Sequence, residues 1–414
     1  MAKRRKKIKA ALPIWLVIII IIVIIAAYYC YAKGYIKFPD NTIESSDDSS
    51  GGQSETSSGG QSETSSGGQS ETSSGGQSSG GSGAGDEQGE DSSFNDAPAP
   101  GNGNLNIYFL DVGQGDCMFI VFPDGKTMII DSGDNKSYVR EKISSAANKL
   151  NITTFDYLLL THSDSDHSGS MKYVFDNFEI KKVFRPNVHS TYKYVSNLNP
   201  GINPEAVEGG KVQSSATYYN FLYSVQAEEG CEEEIFNYES DFTGTYSLDD
   251  ISLDYTFDFL TPTAEKNQIA YSDANDYSPI VNLSYNGINI FLTGDAEKTA
   301  EEEFLRAYGA KFDIDVLKVG HHGSMTSTSQ AFIDAVKPEY SVICCGTGNK
   351  YRHPRQSFLD RLKAANNKVF RTDTNGDIVL SVSAEEDYKI SVERFYVEKS
   401  DMSKNFIGGD VVAE

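Results

Sequence analysis

Hydrophobic patterning divides the chain into three textures. From Ala10 to Ala32 no residue is charged, and Leu12 to Ala27 is almost wholly Ile, Val, Leu and Ala. At 1.5 Å per residue this stretch makes a helix of roughly 35 Å, long enough to cross a bilayer. The basic run Lys3-Arg4-Arg5-Lys6-Lys7 before it predicts a cytoplasmic tail over residues 1–9, a transmembrane signal anchor over 10–32 and an outward-facing remainder, with Tyr28, Tyr29 and Tyr31 at the outer interface. A cleaved signal peptide ending at Cys30-Tyr31-Ala32 is the weaker rival, because the Ile-rich core is long. Residues 33–103 contain the octapeptide Gly-Gly-Gln-Ser-Glu-Thr-Ser-Ser, starting at Gly51, Gly59 and Gly67. Having no apolar position, the repeat predicts a disordered linker with an rms span of about 45 Å.

From Asn104 the texture becomes short β-rich runs that end in polar loops: Ile107 to Leu110, Met118 to Phe122, Met128 to Ile130, Tyr157 to Leu160, Ile288 to Leu292, Ile314 to Val319 and Ser341 to Cys344. Helical periods over Glu297–Tyr308 and Gln356–Ala365 lie among them, which predicts a layered α/β domain over 104–414. Asn375-Gly376, between Val369-Phe370 and Ile378-Val379-Leu380, predicts a hairpin and hence mixed sheets. The stretch 187–273 breaks the rhythm with Cys231-Glu232-Glu233-Glu234 and many tyrosines, and reads as an insertion with an acidic face.

Composition narrows the options. The 414 residues carry 36 basic against 59 acidic side chains, a net charge of −23, which excludes a surface that coats nucleic acid broadly. Five cysteines form no Cys-x-x-Cys pair, so neither a disulfide framework nor a cysteine zinc site is expected. Any metal must be held by other ligands.

Those ligands stand at strand ends. The run Tyr157-Leu158-Leu159-Leu160 is followed by Thr161-His162-Ser163-Asp164-Ser165-Asp166-His167. Residues two apart in an extended segment face one side, so His162 and Asp164 can share a metal, and the turn that follows lets Asp166 and His167 reach a second. A polar loop opening a helix is the bland alternative. Ile290-Phe291-Leu292-Thr293-Gly294-Asp295 delivers a carboxylate suited to bridge two ions, and Val319-Gly320-His321-His322-Gly323-Ser324 delivers paired histidines. With His353, five of the six histidines fall at the ends of predicted strands. Spacing does not choose between His321 and His322 as ligand.

These elements resemble the metallo-β-lactamase superfamily, and more narrowly the hydrolase domain of the ComEC-type competence proteins. The narrower match includes Asp111-Val112-Gly113-Gln114-Gly115-Asp116, Ile130-Asp131-Ser132-Gly133, Asn275-Asp276-Tyr277-Ser278, Tyr351-Arg352-His353-Pro354 and Arg371 to Gly376. It spans about Leu105 to Leu380 and leaves out the channel-forming domain of competence translocases, so no pore is expected. The resemblance implies an αββα sandwich with two divalent ions, Zn²⁺ or Mn²⁺, at one sheet edge and hydrolysis by a metal-bound hydroxide. The implied ligands are His162, Asp164, Asp166, His167, Asp295 and His321. Asp164 stands where most members place a histidine, which makes that site harder. His189 is the only histidine between the first motif and Asp295, a weaker ligand candidate.

The other roles follow the same comparison. Asp166, His322 and His353 are the candidate catalytic residues, with His353 or His322 protonating the leaving group. Asn275, Ser278, Ser324 and Asn349 are candidates for binding substrate, while Asp111, Gln114, Asp116 and Asp131 orient the metal-bearing loops. The expected protein is a membrane-anchored, extracellular metal-dependent hydrolase, a nuclease or phosphodiesterase whose partners are a phosphodiester substrate and the membrane. An envelope hydrolase of teichoic-acid, phosphocholine or lipid diesters is the second reading, and a degenerate binding module the third. β-Lactamase activity is not expected.

Overall fold

Side-chain alternation along the strands sets the layers. In strand β1 (Leu105–Phe109), Leu105, Ile107 and Phe109 face one hydrophobic layer while Tyr108 faces another. In β2 (Met118–Val121), Met118 and Ile120 divide from Phe119 and Val121 in the same way. Both faces of the sheet are therefore covered, as period-two alternation requires when helices pack on one side and a second sheet on the other. The computed structural model describes residues 101–248, 251–384, 388–392 and 411–412.

The remaining strands are β3 (Thr127–Ile130), β4 (Thr154–Leu159), β5 (Glu179–Arg185), the short β6 (His189–Ser190) and β7 (Val212–Gln213), β8 (Glu232–Ile235), β9 (Phe242–Leu248), β10 (Ile251–Phe259), β11 (Val281–Tyr285), β12 (Ile288–Leu292), β13 (Val316–Lys318), β14 (Tyr340–Ile343), β15 (Lys368–Arg371), β16 (Ile378–Val382), β17 (Tyr388–Val392) and β18 (Val411–Val412). The first sheet runs β18-β17-β16-β1-β2-β3-β4-β5-β8 and the second β15-β14-β13-β12-β11-β10-β9. Both are mixed: β3, β4, β5 and β8 pair in parallel, as do β12 to β15, and the other pairs in both sheets are antiparallel.

Helices α1 (Ser137–Lys149), α2 (Ser165–Ser168), α3 (Met171–Asn177) and α4 (Ala216–Ala227) follow strands of the first sheet. Val139 and Ile143 of α1, Val174 of α3 and Leu222 of α4 join its outer layer. Helices α5 (Lys298–Tyr308), α6 (Gln330–Val336), α7 (Gln356–Ala364) and the short α8 (Thr372–Asn375) belong to the second half. Phe304, Phe332 and Phe358 from α5, α6 and α7 pack on Phe291 and Leu317 of the second sheet. Ser215 and Ser329 cap α4 and α6 by accepting from Tyr218 and Phe332 N–H. The result is an α/β sandwich with mixed sheets, helix–sheet–sheet–helix in section.

Three expectations change. Asn375-Gly376 does not turn a hairpin: β15 lies in the second sheet and β16 in the first, and α8 carries the chain across. The Asn375 side chain turns back to accept from Arg371 N–H at 2.9 Å, and Arg371 pairs with Asp373 at 2.7 Å, so local polar bonds replace the turn. The stretch 187–273 supplies β8 to the first sheet and β9 and β10 to the second, where Phe257 and Phe259 enter the layer between them.

The third correction concerns the expected membrane span, and with it the outward-facing, extracellular placement and the membrane as partner. Among the described residues no helix is long and apolar enough to cross a membrane. The longest of them, α1, has 13 residues, about 20 Å against a hydrocarbon core of about 30 Å. Residues 10–32, on which that expectation rested, lie outside the described residues, as do the basic tail 1–9 and residues 33–100 of the expected linker.

Candidate metal centre

Loops from both sheets meet at the C-terminal ends of β1, β3, β4, β12, β13 and β14. The segment after β4 is held by Asp131 just after β3: Thr161 N–H and Oγ–H donate to its two carboxylate oxygens at 2.8 and 2.7 Å. The Asp164–His167 turn is fixed in turn by Ser132, whose N–H and hydroxyl donate to the His167 carbonyl at 2.8 and 3.0 Å. Gly115 lets the β1 loop lie against it, since a Cβ there would come within 2.3 Å of the Asp166 carbonyl. Among the non-glycine residues with positive φ are Asp131, His321 and His322, at 57°, 46° and 53°. Such angles are costly outside glycine, and here they set where a carboxylate and two imidazoles point.

The fully buried His162 and His167 lie side by side, with ring centroids 4.1 Å apart. His162 Nδ1 faces the hydroxyls of Thr161 and Ser278, both at 3.2 Å. Burial, then the neighbouring His167, pushes its pKa down to about 4, so its ring is neutral. His167 Nδ1 meets Asp131 at 2.7 Å, and its Nε2 stands 3.2 Å from Asp295 Oδ2. The same Asp295 oxygen is 3.2 Å from His322 Nε2, which in turn is 3.4 Å from Asp166. Asp295 thus stands between a group containing His162 and His167 and a group containing Asp166 and His322. The Asp295 backbone is held by the Ser278 hydroxyl at 3.0 Å.

Electrostatics follow from this crowding. Burial would lower the pKa of His167 and His322, yet the surrounding carboxylates, Asp295 foremost, raise both well above the ordinary histidine value. Burial opposes ionisation of Asp295 as well, but the two histidines hold it well below the usual carboxylate range. Asp166 is lowered against burial by His322 and His167, whereas Asp164, which accepts from Gln213 at 3.4 Å, is raised by burial.

Asp116, His167, Asp295 and His322 each offer a ligand atom, and these atoms lie within 4.8 Å of one another, a cluster capable of holding a divalent metal ion. Its donor set fits such an ion. Nε2 of His162 and Oδ1 of Asp295 are buried without a hydrogen-bond partner, and each such atom costs roughly 1–3 kcal/mol unless something binds it. Within the cluster Asp116 sits on the Nδ1 side of His322, at 3.3 Å, where the Cys344 carbonyl also accepts at 2.9 Å. Its other oxygen pairs with Lys318 at 2.8 Å. Asp116 therefore relates to His322 as Asp131 does to His167, a carboxylate that fixes the ring and directs Nε2 inward.

Other expected residues fall around this centre. His321 is set apart from the tight cluster: its Nε2 is 3.8 Å from Asp295 and its Nδ1 meets Glu297 at 2.7 Å. Glu297, also touched by Asn275 at 3.3 Å, raises the His321 pKa against burial. His353 lies beyond, with ring centroids 5.4 Å from His321; burial, then the two neighbouring histidines, pushes its pKa down to about 4. Asn349 is spent on its own loop, donating to the Gly346 and His353 carbonyls and accepting from His353 N–H. Ser324 bonds Thr326 at 2.8 Å, Gln114 accepts from Gly346 N–H at 3.4 Å, and Asp111 accepts from Gly113 N–H at 3.3 Å. His189 faces the Pro204 carbonyl at 2.7 Å. Lys318 and Glu297 were missed from the sequence. The signals were there: a lysine inside the apolar run Val316-Leu317-Lys318-Val319, and a carboxylate two positions after Asp295.

On this four-layer frame the Asp164–His167 turn follows β4, Asp295 follows β12 and the paired histidines follow β13, and residues 110–196 match the metallo-beta-lactamase superfamily. The fold is that of this superfamily. The chain is 28% identical over 287 residues to ComE operon protein 3 of Bacillus subtilis, covering 66% of this chain and 32% of that protein. It is 25% identical over 291 residues to competence protein ComA of Neisseria gonorrhoeae, covering 70% and 34%. Recombination protein 2 of Haemophilus influenzae is 28% identical over 272 residues, covering 65% and 28%. The chain thus spans about a third of the length of these relatives. Cluster and superfamily fold together mark it as a metal-dependent hydrolase, which replaces the expected anchored, outward-facing enzyme.

Proposed function

We propose that the chain hydrolyses phosphodiesters with two divalent ions, Zn²⁺ or Mn²⁺. The observation that carries this reading is Asp295 Oδ2, 3.2 Å from the Nε2 atoms of both His167 and His322, a carboxylate placed between two sets of donors. His162, Asp164 and His167 would hold one ion, and Asp166 with His322 the other, with Asp295 shared. Bound ions supply Lewis acidity and a water of lowered pKa, the chemistry that two-metal phosphodiester hydrolases use. Three aspartates in the set make it harder than an all-histidine site and admit Mn²⁺ beside Zn²⁺.

The chain's own residues do the rest. Asp131 and Asp116 hold His167 and His322 by Nδ1, so neither ring can turn its Nε2 away. Ser278 joins the two halves, touching both His162 Nδ1 and the Asp295 N–H. His321, half-buried at the rim and held through Nδ1 by Glu297, presents Nε2 toward the centre and is suited to donate a proton to the leaving alkoxide. His353, neutral at pH 7, packs its ring beside that of His321.

The test is hydrolysis of bis-p-nitrophenyl phosphate and of a dinucleotide by the full chain, with metal content measured in parallel. Turnover that rises with Zn²⁺ or Mn²⁺ and stops on chelation upholds the reading, and metal binding with no diester cleavage overturns it. His321→Ala should keep its metal and slow the dinucleotide by about 10²–10⁴-fold, with a smaller loss on the nitrophenyl diester, whose leaving group needs little proton assistance. Equal losses would remove His321 from this role.

A further inference from the structure

The rings of the centre continue outward to the surface. His322 and His321 have centroids 5.9 Å apart, His321 and His353 5.4 Å, and His353 and Tyr351 5.8 Å, the last pair stacked at 23°. Tyr351 is 46% exposed, and Lys350 sits over its ring at 4.9 Å. The loop that ends this path reads Lys350-Tyr351-Arg352-His353-Pro354-Arg355, three permanent cations in six residues of a chain whose net charge is −23. Several cations elsewhere are neutralised in place: Lys142 by Asp377, Lys172 by Asp176, Lys181 by Asp156, Lys182 by Glu234. Among the described residues Lys350, Arg352 and Arg355 are exposed and have no such ion pair. Asp360, the acid nearest in sequence, accepts from Gln356.

The loop is built rather than slack. Asn349 makes three hydrogen bonds across its base, Arg352 N–H donates to the Asn349 carbonyl at 3.0 Å, and Arg355 N–H donates to the carbonyl of Gly323, next to His322, at 3.2 Å. Gly323 in turn packs so closely on Pro354 that a Cβ would come within 2.7 Å of it. The cations are thereby carried on a support fixed to the metal-bearing loop, and displacing the loop would disturb His322.

We propose that the Lys350–Arg355 loop is a binding subsite for the nucleotides that flank the scissile diester of a single-stranded nucleic acid, with Tyr351 stacking on a base and Lys350, Arg352 and Arg355 pairing with phosphates. This rests on the phosphodiesterase reading. Unpaired cations select a polyanion, and an exposed ring among them selects one that carries bases, because stacking and phosphate pairing together are how single strands are gripped. The small number of cations makes the contact local, which reconciles it with the acidic surface.

Binding of fluorescein-labelled dT20 and of inorganic polyphosphate to the full chain, followed by anisotropy across a range of salt, tests this directly. For the triple variant Lys350→Ala/Arg352→Ala/Arg355→Ala the slope of log affinity against log salt should become shallower by about 2. Tyr351→Ala should weaken dT20 by about 5- to 100-fold and leave polyphosphate little changed. An unchanged slope and affinity in variants with wild-type circular dichroism would overturn the subsite, and equal loss of both ligands in Tyr351→Ala would overturn the base-stacking part. Bis-p-nitrophenyl phosphate separates this from the reading beneath it. Wild-type cleavage of that diester with no effect of the loop on dT20 sinks the subsite alone, and absence of all diester cleavage sinks the phosphodiesterase reading.

Discussion

At Asp295 one carboxylate oxygen faces two imidazoles at 3.2 Å while the other is buried without a partner, so Asp295→Ala should strip metal and lower diester turnover by at least about 100-fold. A variant that retains full metal content would remove Asp295 from the centre. Lys318 carries a different burden. It is fully buried and its partner is Asp116, so Lys318→Met leaves a carboxylate without its cation in the interior, a loss of roughly 3–5 kcal/mol in denaturant unfolding. In Asp116→Ala, metal affinity should fall about 10- to 100-fold as His322 loses its orienting carboxylate. An unchanged affinity would show that Asp116 does not act through the ring.

Acidity at the same residues has a definite sign. In the metal-free chain His167 and His322 have raised pKa values, so their contribution to stability is complete below the unfolded value of about 6.5 and is lost as pH climbs through the folded values. Asp295 is lowered, so its contribution is complete above about 3.9 and is lost as pH falls through its folded value. The stability gap between metal-free wild type and Asp295→Asn should therefore be widest between about pH 4 and 6.5. Thermal melts showing a gap that keeps widening toward pH 9 would contradict this arrangement of protons.

Among the elements, the predicted strand ends that lead into the ligand loops lie within one residue of the observed ones, as at Leu110 against Phe109, Leu160 against Leu159 and Val319 against Lys318. Alternation between two apolar layers made them legible, and the chemistry hangs from those ends. Asn375-Gly376 misled because a turn dipeptide says nothing about which sheet receives the next strand; the Arg371–Asp373 pair and the Asn375 bond back to Arg371 decided that. Strands β8 to β10 were hidden for a related reason, since Glu232-Glu233-Glu234 does not read as a sheet edge until Lys182 and Arg185 on the neighbouring strand neutralise it. The residue types that gather at the centre were legible, and which of His321 and His322 stands in the tight cluster was not, because it depends on two successive left-handed residues and on partners, Glu297 and Asp116, far away in sequence or unremarkable in type. Gly115→Ala probes the element scale: the added Cβ would push the Asp164–His167 turn, and metal content should fall while far-ultraviolet circular dichroism is kept. Full metal content in that variant would mean the turn is not held by this contact.

For the whole molecule, two sheets each contribute half of one centre: the first brings the His162–His167 turn and Asp116, the second Asp295, Lys318 and His322. Neither half alone has the four donors of the cluster, since Asp116 and His167 follow strands of the first sheet and Asp295 and His322 strands of the second, so the apolar layer between the sheets positions the chemistry as well as stabilising the fold. The most direct measurement of the central claim is a titration of the full, metal-free chain with Mn²⁺ or Zn²⁺, reading bound metal by elemental analysis and bis-p-nitrophenyl phosphate turnover on the same samples. Turnover should rise in step with metal, reach its plateau near two ions per chain, and vanish in both readouts together in Asp295→Ala. Turnover that is complete in the metal-free chain, or that survives in Asp295→Ala at the wild-type rate, would contradict a hydrolytic centre built on this cluster.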